Sequence, residues 1–432
     1  MNNLIYGIND KPKKLKEWLL YSLQQVLSVF VATVLIANVC GTPVSSCLLG
    51  ACFGTLIYQI ITKFKSPAFI SSCGSMCSAV IGALALPGVS NQNYLMVAIG
   101  GLIVLVIYAL FALIVKLFGK QVIDKLFPPV VIGPIVMLIG LNLAGFIPGY
   151  LGFDSGASSE VLTYSTLVAL ATAVVIAITS RYAKGFLKTI PFLIGLLFGY
   201  FMCIILTLTG VCKLVDFSMF KEPFSWYPDI TFLKWSWQDF SWSNVLNVFL
   251  LFGPVSICAL LEHYSDHKCL SNIIGTDLTK EPGLHKTLLG DGVASFAGTI
   301  VCGLPNTSYG ESVATTGFSK VASTYVITVA ACVLGLLSFI GPVQVLIQSI
   351  PSCVFGGCAM ILYGYISCSG LKTIMNAKID YEDNRNLVVT SVILTIGISG
   401  IYLFTSALTG ISLALIVGVI LNLILKGKRE VH

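Results

Sequence analysis

Two short stretches of this sequence carry acids where the chain around them has almost none. One, GLPNTSYGESVATTG (303–317), opens beside Pro305, passes through Asn306, Thr307, Ser308 and Gly310, and holds Glu311 at its middle. The other, ALLEHYSDHKCL (259–270), places Glu262 and Asp266 one turn apart on a helix, with His263 and His267 similarly spaced on a neighbouring face. A Gly-rich helix start leaves backbone N–H groups without intrahelical partners, and carboxylates withdrawn from water are acceptors that can also carry a proton. Together they suit a small, flat, neutral ligand with both acceptors and N–H donors, such as a nucleobase; other cyclic amides fit the same chemistry. His263, Asp266 and His267 suggest a rival from another class, a membrane metalloenzyme, because two His one turn apart resemble a metal-binding helix. A third ligand and a general base would then have to come from elsewhere, since His285 and His432 lie outside the apolar segments.

These residues must be positioned by membrane-spanning elements. The chain has 432 residues, is 56% hydrophobic and 10% charged, and has a mean hydropathy of +0.91, which excludes a water-soluble domain. Residues 18–62, 66–115, 321–371 and 386–425 contain no Asp, Glu, Lys or Arg, and each run is long enough for two crossings. Spans are expected near 19–40, 46–62, 68–87, 93–115, 128–146, 161–179, 189–210, 244–266, 287–302, 309–319, 321–340, 344–368, 386–404 and 408–425. Of the 25 Lys and Arg residues, all but Lys213, Lys221 and Lys234 then fall on one side, so the positive-inside rule places both termini in the cytoplasm. The same distribution accounts for the net charge of +6 without an anionic partner. Lys11, Lys13, Lys14 and Lys16 lead into a full-length span, so no cleavable signal peptide is expected. The fourteen cysteines are scattered singly and read as small apolar residues, not as a disulfide framework.

Residues 211–243, with Trp226, Trp235, Trp237 and Trp242, are expected to form an external loop at the membrane interface between repeats at 1–210 and 244–432. Seven spans per half would put related halves in opposite orientations. PPVVIGPIVM from Pro128 and PSCVFGGCAM from Pro351 share Pro, Val, Gly and Met at matching offsets in the fifth span of each half. The third spans also correspond: SPAFISSCGSMCSAV from Ser66 and the stretch containing Glu311 both run from a Pro through small polar residues into a helix. Paired broken segments at equivalent positions point to a substrate site at the repeat interface. An acid in the hydrocarbon costs about 2.5–3.5 kcal/mol on insertion scales, so Glu262 and Glu311 are read as functional. Asp291, in LLGDGVAS, is read as the cap of a helix start.

Over nearly its whole length the chain resembles the nucleobase/ascorbate transporters, the nucleobase:cation symporter-2 family. The resemblance rests on SLQQVLSVFVATVL from Ser22, FPPVVIGPIVMLIGLNLAG from Phe127, EHYSDHKCLSNIIGTDLTKEPGLHKTLLGDGVAS from Glu262, PNTSYGES from Pro305 and LYGYISCSGLK from Leu362. It implies an all-α polytopic fold of fourteen transmembrane segments in two inverted seven-span repeats. Spans one to four and eight to eleven would form a core domain, and five to seven and twelve to fourteen a gate domain that dimerises. The interrupted third and tenth spans would each supply a short strand and a half-helix. The resemblance further implies proton symport of uracil without a cofactor, with Glu262 and Glu311 holding the ring, Tyr309 and Gly310 lining the site, and Ala32 packing near the base. Proton coupling would involve Glu262, Asp266 and Glu311. The partners implied are a nucleobase, the lipid bilayer and a second copy of the chain, with no nucleic acid.

The departures bear on substrate identity. After the acid the family commonly carries Asn, any residue and Gly, then Thr-Arg further on; here Ser312, Ala314, Ser319 and Lys320 stand at those places. Gly74, preceded by Cys73, stands where similar permeases have a Phe whose backbone donates to the base. A backbone contact survives that change and aromatic packing does not. Xanthine or another base is accordingly the second expectation after uracil.

Overall fold

Charge-free runs fold as helices here because lipid offers no partner to a backbone N–H or C=O, and an intrahelical ladder satisfies both. The structure, a computed structural model, describes residues 4–90, 92–154, 156–221, 224–403 and 405–425. The first half starts with α1 (Leu15–Cys40) and α2 (Val44–Ile61). Strand β1 (Ile70–Ser72) follows, and a 3-10 turn at Gly74–Met76 leads into α3 (Cys77–Leu84). Next come α4 (Tyr94–Phe118), α5 (Gln121–Leu126), α6 (Pro129–Ala144), α7 (Ile147–Leu151), α8 (Ser159–Tyr182) and α9 (Pro191–Leu208). The second half runs through α10 (Trp242–Ile274), α11 (Leu284–Cys302), strand β2 (Asn306–Ser308), α12 (Gly310–Ser319), α13 (Thr324–Leu337) and α14 (Gly341–Gln348). It ends with α15 (Ser352–Asn376), α16 (Asn384–Ser399), strands β3 (Tyr402–Leu403) and β4 (Thr405–Thr409), and α17 (Gly410–Ile424).

Among the described residues eight helices are long and apolar enough to cross a membrane, and α13 with α14, bent by 81°, would make a ninth. The eight are α1, α2, α4, α6 extended through α7, α8, α9, α10 and α15. The other expected spans fall on α11, α13, α16 and α17, which are shorter or more polar, and on the two interrupted segments. Each interruption is a three-residue strand followed by a short helix. β1 and β2 pair antiparallel, with Ile70 opposite Ser308, Ser71 opposite Thr307 and Ser72 opposite Asn306. A two-stranded sheet inside a bundle has two edges to satisfy, and side chains of flanking helices do so. The Thr55 hydroxyl accepts from the Ile70 N–H at 3.0 Å and donates to its carbonyl at 2.8 Å. On the other edge the Ser295 hydroxyl donates to the Asn306 carbonyl, and Asn306 Nδ2 donates to the carbonyls of Gly50 and Ala294.

Close packing rests on small residues. α11 runs against α2, α4 and β2. A Cβ on Gly292 would lie 2.7 Å from Tyr108, and one on Gly298 would lie 2.5 Å from the Leu304 carbonyl. α6 and α15, the helices that carry the two related Pro-Val-Gly-Met stretches, pack along each other. There a Cβ on Gly140 would come within 2.3 Å of the Tyr363 carbonyl, and one on Gly370 within 2.4 Å of the Gly133 carbonyl.

Several boundaries differ from expectation. α10 does not stop at 266 but continues to Ile274, because no Gly or Pro interrupts 267–274 before Gly275 closes it with φ 79. The twelfth expected span, 344–368, is displaced: Gly341–Gln348 is a separate helix, and α15 begins after Pro351, which suits a helix start and cannot donate within one. α16 ends at Gly400, φ 70, and the β-branched and aromatic residues beyond it pair as β3 and β4 where continuous helix was expected to 404. The described residues of 211–241 contain only short 3-10 turns and are tied to the helices around them. Asp239 accepts from the N–H groups of Val89 and Ser90, and the Thr231 hydroxyl donates to the Ile300 carbonyl. Trp226, Trp237 and Trp242 remain exposed.

Candidate functional site

Each half-helix begins where its strand ends. The Tyr309 N–H donates to the Phe69 carbonyl at 3.0 Å, closing the sheet, and the next residue, Gly310, enters α12. Tyr309 is extended, with φ −111 and ψ 113, and supplies no side-chain cap, so the first N–H groups of α12 face outward and Glu311 stands in that first turn. On the other strand the Cys73 N–H donates to the Pro305 carbonyl at 2.8 Å, and Gly74 opens the 3-10 turn that leads into α3, again without a side-chain cap. Because the strands are antiparallel, the two helix starts leave the sheet at opposite ends.

α10 passes this junction and adds the other acids. Ser308, the last residue of β2, donates to Asp266 Oδ2 at 2.9 Å. A Cβ built on Gly310 would meet Asp266 Oδ1 at 3.7 Å, and no other atom lies within 4 Å of it. Glu262 Oε2 is buried without a hydrogen-bond partner, and Glu262 lies within electrostatic reach of Ser75 and Glu311. Gly310 is exposed, and Gly74, Glu262, Asp266 and Glu311 are partly so, between strands that are wholly buried. An opening thus reaches three carboxylates and an uncapped helix start.

The remaining expected residues lie around this opening. A Cβ on Gly74 would face Ile36 of α1 at 3.5 Å and Leu143 of α6 at 3.9 Å. Ala32 is buried on α1, beside Thr33, whose hydroxyl meets that of Ser71 at 2.7 Å. Tyr309 is buried, and its hydroxyl has no hydrogen-bond partner. Ser312, one of the departures noted in the sequence, donates to Gln25 Oε1 at 2.8 Å, while Gln25 Nε2 donates to Thr316 at 3.2 Å. Gln25 belongs to SLQQ and is a support for α12 that residue reading missed.

Asp291 is not a cap. α11 starts at Leu284, two turns earlier, and Asp291 is wholly buried. Its Oδ2 accepts from the Thr307 hydroxyl at 3.1 Å and lies 3.0 Å from His263 Nδ1. The His263 and His267 rings stack with centroids 4.0 Å apart, and His267 Nε2 lies 2.6 Å from the Tyr58 hydroxyl. The signal was present in LLGDGVASFAG, where Gly290, Gly292, Ala294, Ser295 and Gly298 put small residues on the side of the helix that carries Asp291 and so mark that side as closely packed. The same network separates the proposed metal donors: His263 turns to Asp291, Asp266 to Ser308 and His267 to Tyr58. Among the described residues no three His, Cys, Asp or Glu side chains are placed to hold a metal ion.

Asp291→Ala is therefore expected to strand the Thr307 hydroxyl inside the protein, destabilising it by about 1–3 kcal/mol, while Asp291→Asn keeps an acceptor and most of the stability. Thermal unfolding of the purified variants in detergent checks this. Equal melting of Asp291→Ala and wild type would mean that the network does not hold β2.

Residues 16–406 match the Xan_ur_permease model, described as the Permease family. The uracil permease of Bacillus caldolyticus is 35% identical over 438 residues, covering 100% of this chain and 96% of the relative. That of Bacillus subtilis (strain 168) is 35% identical, covering 98% and 96%, and that of Escherichia coli (strain K12) 34% identical, covering 99% and 95%. Among solved structures, the transmembrane domain of a cyanobacterial bicarbonate transporter, BicA, superposes with a TM-score of 0.61 at 17% identity, covering 96% of this chain and 98% of that one. SLC26A9 superposes with a TM-score of 0.67 at 11% identity, covering 95% and 66%. These structures share the fold of the chain.

Proposed function

The chain belongs to the Permease family that its residues 16–406 match, a multi-pass membrane permease and not an enzyme, and from that membership we propose that it imports a nucleobase, uracil first, by proton symport. The observation that carries this reading is the opening between β1, β2 and α10. There Glu262, Asp266 and Glu311 offer acceptors, and the uncapped start of α12 offers donors. Uracil presents two ring N–H donors and two carbonyl acceptors, so one neutral ring can satisfy both sets. The relatives named uracil permease support uracil over xanthine, the second reading kept open by Gly74 and Ser312.

The repeated order of helix, helix, strand and half-helix in the two halves, with an antiparallel strand pair between them, supports fourteen spans in two inverted repeats. Packing of α1, α2 and α4 with α10, α11 and α13 supports a core domain. Packing of α6 with α15 and α16, and of α8 with α9 and α15, supports a gate domain. On this reading the core rocks against the gate, the termini and most lysines face the cytoplasm of the cell that holds the protein in its plasma membrane, and two copies join through their gates. The symported ion is a proton, taken up in the cluster of Glu262, Asp266 and Glu311 with Glu262 as its carrier, and no cofactor takes part.

Purified protein in proteoliposomes should accumulate labelled uracil under an inward proton gradient, lose that accumulation when the gradient is collapsed, and be unaffected by chelators. Excess unlabelled uracil should compete more strongly than xanthine. Accumulation that follows sodium and ignores protons would refute the coupling, and stronger competition by xanthine would move the substrate to the purines.

A further inference from the structure

A cavity of about 590 Å³ opens at the end of the molecule away from Lys65, Lys120 and Lys320. Its walls come from both proposed domains and from the segment that joins the halves: Asn38 of α1, Phe146 and Tyr150 near α7, Asp216 of the linking segment, and Gln348 and Ser352 at the bend between α14 and α15. On the functional reading above, on which this inference rests, that end faces outside.

The cavity is joined to the turn at Gly74 through α1. Val39 on the cavity wall and Ile36, three residues earlier on the same face of α1, connect it to Gly74, which Ile36 faces. Tyr150 forms part of the wall, and its hydroxyl donates at 3.1 Å to the Leu35 carbonyl, one turn below. One turn of α1, about 5 Å, and the Tyr150 contact thus separate the cavity from the turn at Gly74.

The wall chemistry selects among solutes. Ser352 is the first residue of α15, and Pro351 before it supplies no side-chain cap, so helix-start N–H groups are available at the rim. Asn38 and Gln348 add carboxamides, each with a donor and an acceptor. Asp216 is exposed, and the Ser218 N–H and hydroxyl at 3.0 and 2.8 Å hold its carboxyl below the usual carboxylate range. A fixed negative charge at the rim disfavours anions, and Phe146 and Tyr150 give a flat solute apolar surface to lie against. We infer that this cavity is an outer waiting site, which holds the incoming neutral, planar heterocycle before Tyr150 releases Leu35 and the base passes to the acids.

The test compares the two directions of transport with labelled uracil. Asn38→Ala/Gln348→Ala, both at exposed positions and outside the acid site, should raise the KM for uptake about five- to twentyfold, leaving the KM for efflux within about twofold of wild type. Ser352→Trp, which fills the cavity, should lower uptake at low uracil concentration about tenfold or more while calorimetric affinity of the purified protein changes little. Equal changes in both directions, or none in either, would overturn the waiting site while leaving the transporter reading intact. A wild-type protein that moves no base in either direction would overturn both.

Discussion

Gly310→Val is expected to abolish uptake while the protein still inserts, purifies and melts close to wild type. The fold itself has room for the substitution: the position is helical, and an added Cβ would approach only Asp266 Oδ1, at 3.7 Å. Glycine at an exposed helix start is worth little to stability, so a branched side chain costs the helix at most a few tenths of a kcal/mol. The cost falls on the ligand. Two methyl groups at Gly310 would occupy the space between Asp266 and the first turn of α12, covering the N–H groups next to Glu311. Gly310→Ala adds one methyl and should weaken binding without eliminating it. Uptake assays beside thermal melts separate the two effects. Normal uptake by Gly310→Val would place the base elsewhere, and loss of uptake with a collapsed melting temperature would make the glycine a packing residue.

That prediction could be framed from the sequence because breaks in apolar segments are locally encoded. Pro305 and the small polar residues after it cannot continue a lipid-facing helix, and the same holds from Ser66 to Ser75, so both interruptions were legible. What the residues could not show was how the breaks are satisfied. Thr55 and Ser295 lie in unremarkable helices, and their bonds to Ile70 and Asn306 exist only once distant segments meet. Asp291 failed for the same reason. Glycine beside an acid suggests a cap when the helix start is judged locally, yet Gly290 and Gly292 are there so that Tyr58 and Tyr108 can approach. Boundaries were lost where propensity and hydropathy disagree: hydropathy continues through Gly341–Gln348, but Gly341 and Pro342 start a new helix and Pro351 another.

The acids of the candidate site stand out in the sequence as a group, since few charges interrupt the spans, but their separate roles on the proposed reading depend on what surrounds each one. Glu262 lies in the middle of α10, with Oε2 buried and facing no donor. An oxygen without a donor can accept a proton and then donate it, which is what a coupling residue must do. Glu311 lies in the first turn of α12, where outward N–H groups favour a negative charge, so it suits a fixed acceptor for a ring N–H. Asp266 is already engaged by Ser308 and holds the end of β2. Glu262→Gln should therefore keep measurable base affinity and lose accumulation driven by a proton gradient, because the amide mimics the protonated acid and cannot release a proton. Glu311→Gln should weaken binding itself by about 1.5–3 kcal/mol, roughly ten- to a hundredfold in Kd, through loss of a charged acceptor. Calorimetric affinity and gradient-driven uptake, measured on both variants, decide the assignment. If Glu311→Gln binds uracil like wild type while Glu262→Gln does not bind at all, the roles are reversed, and the placement of Glu311 at a helix start does not determine which acid holds the ring.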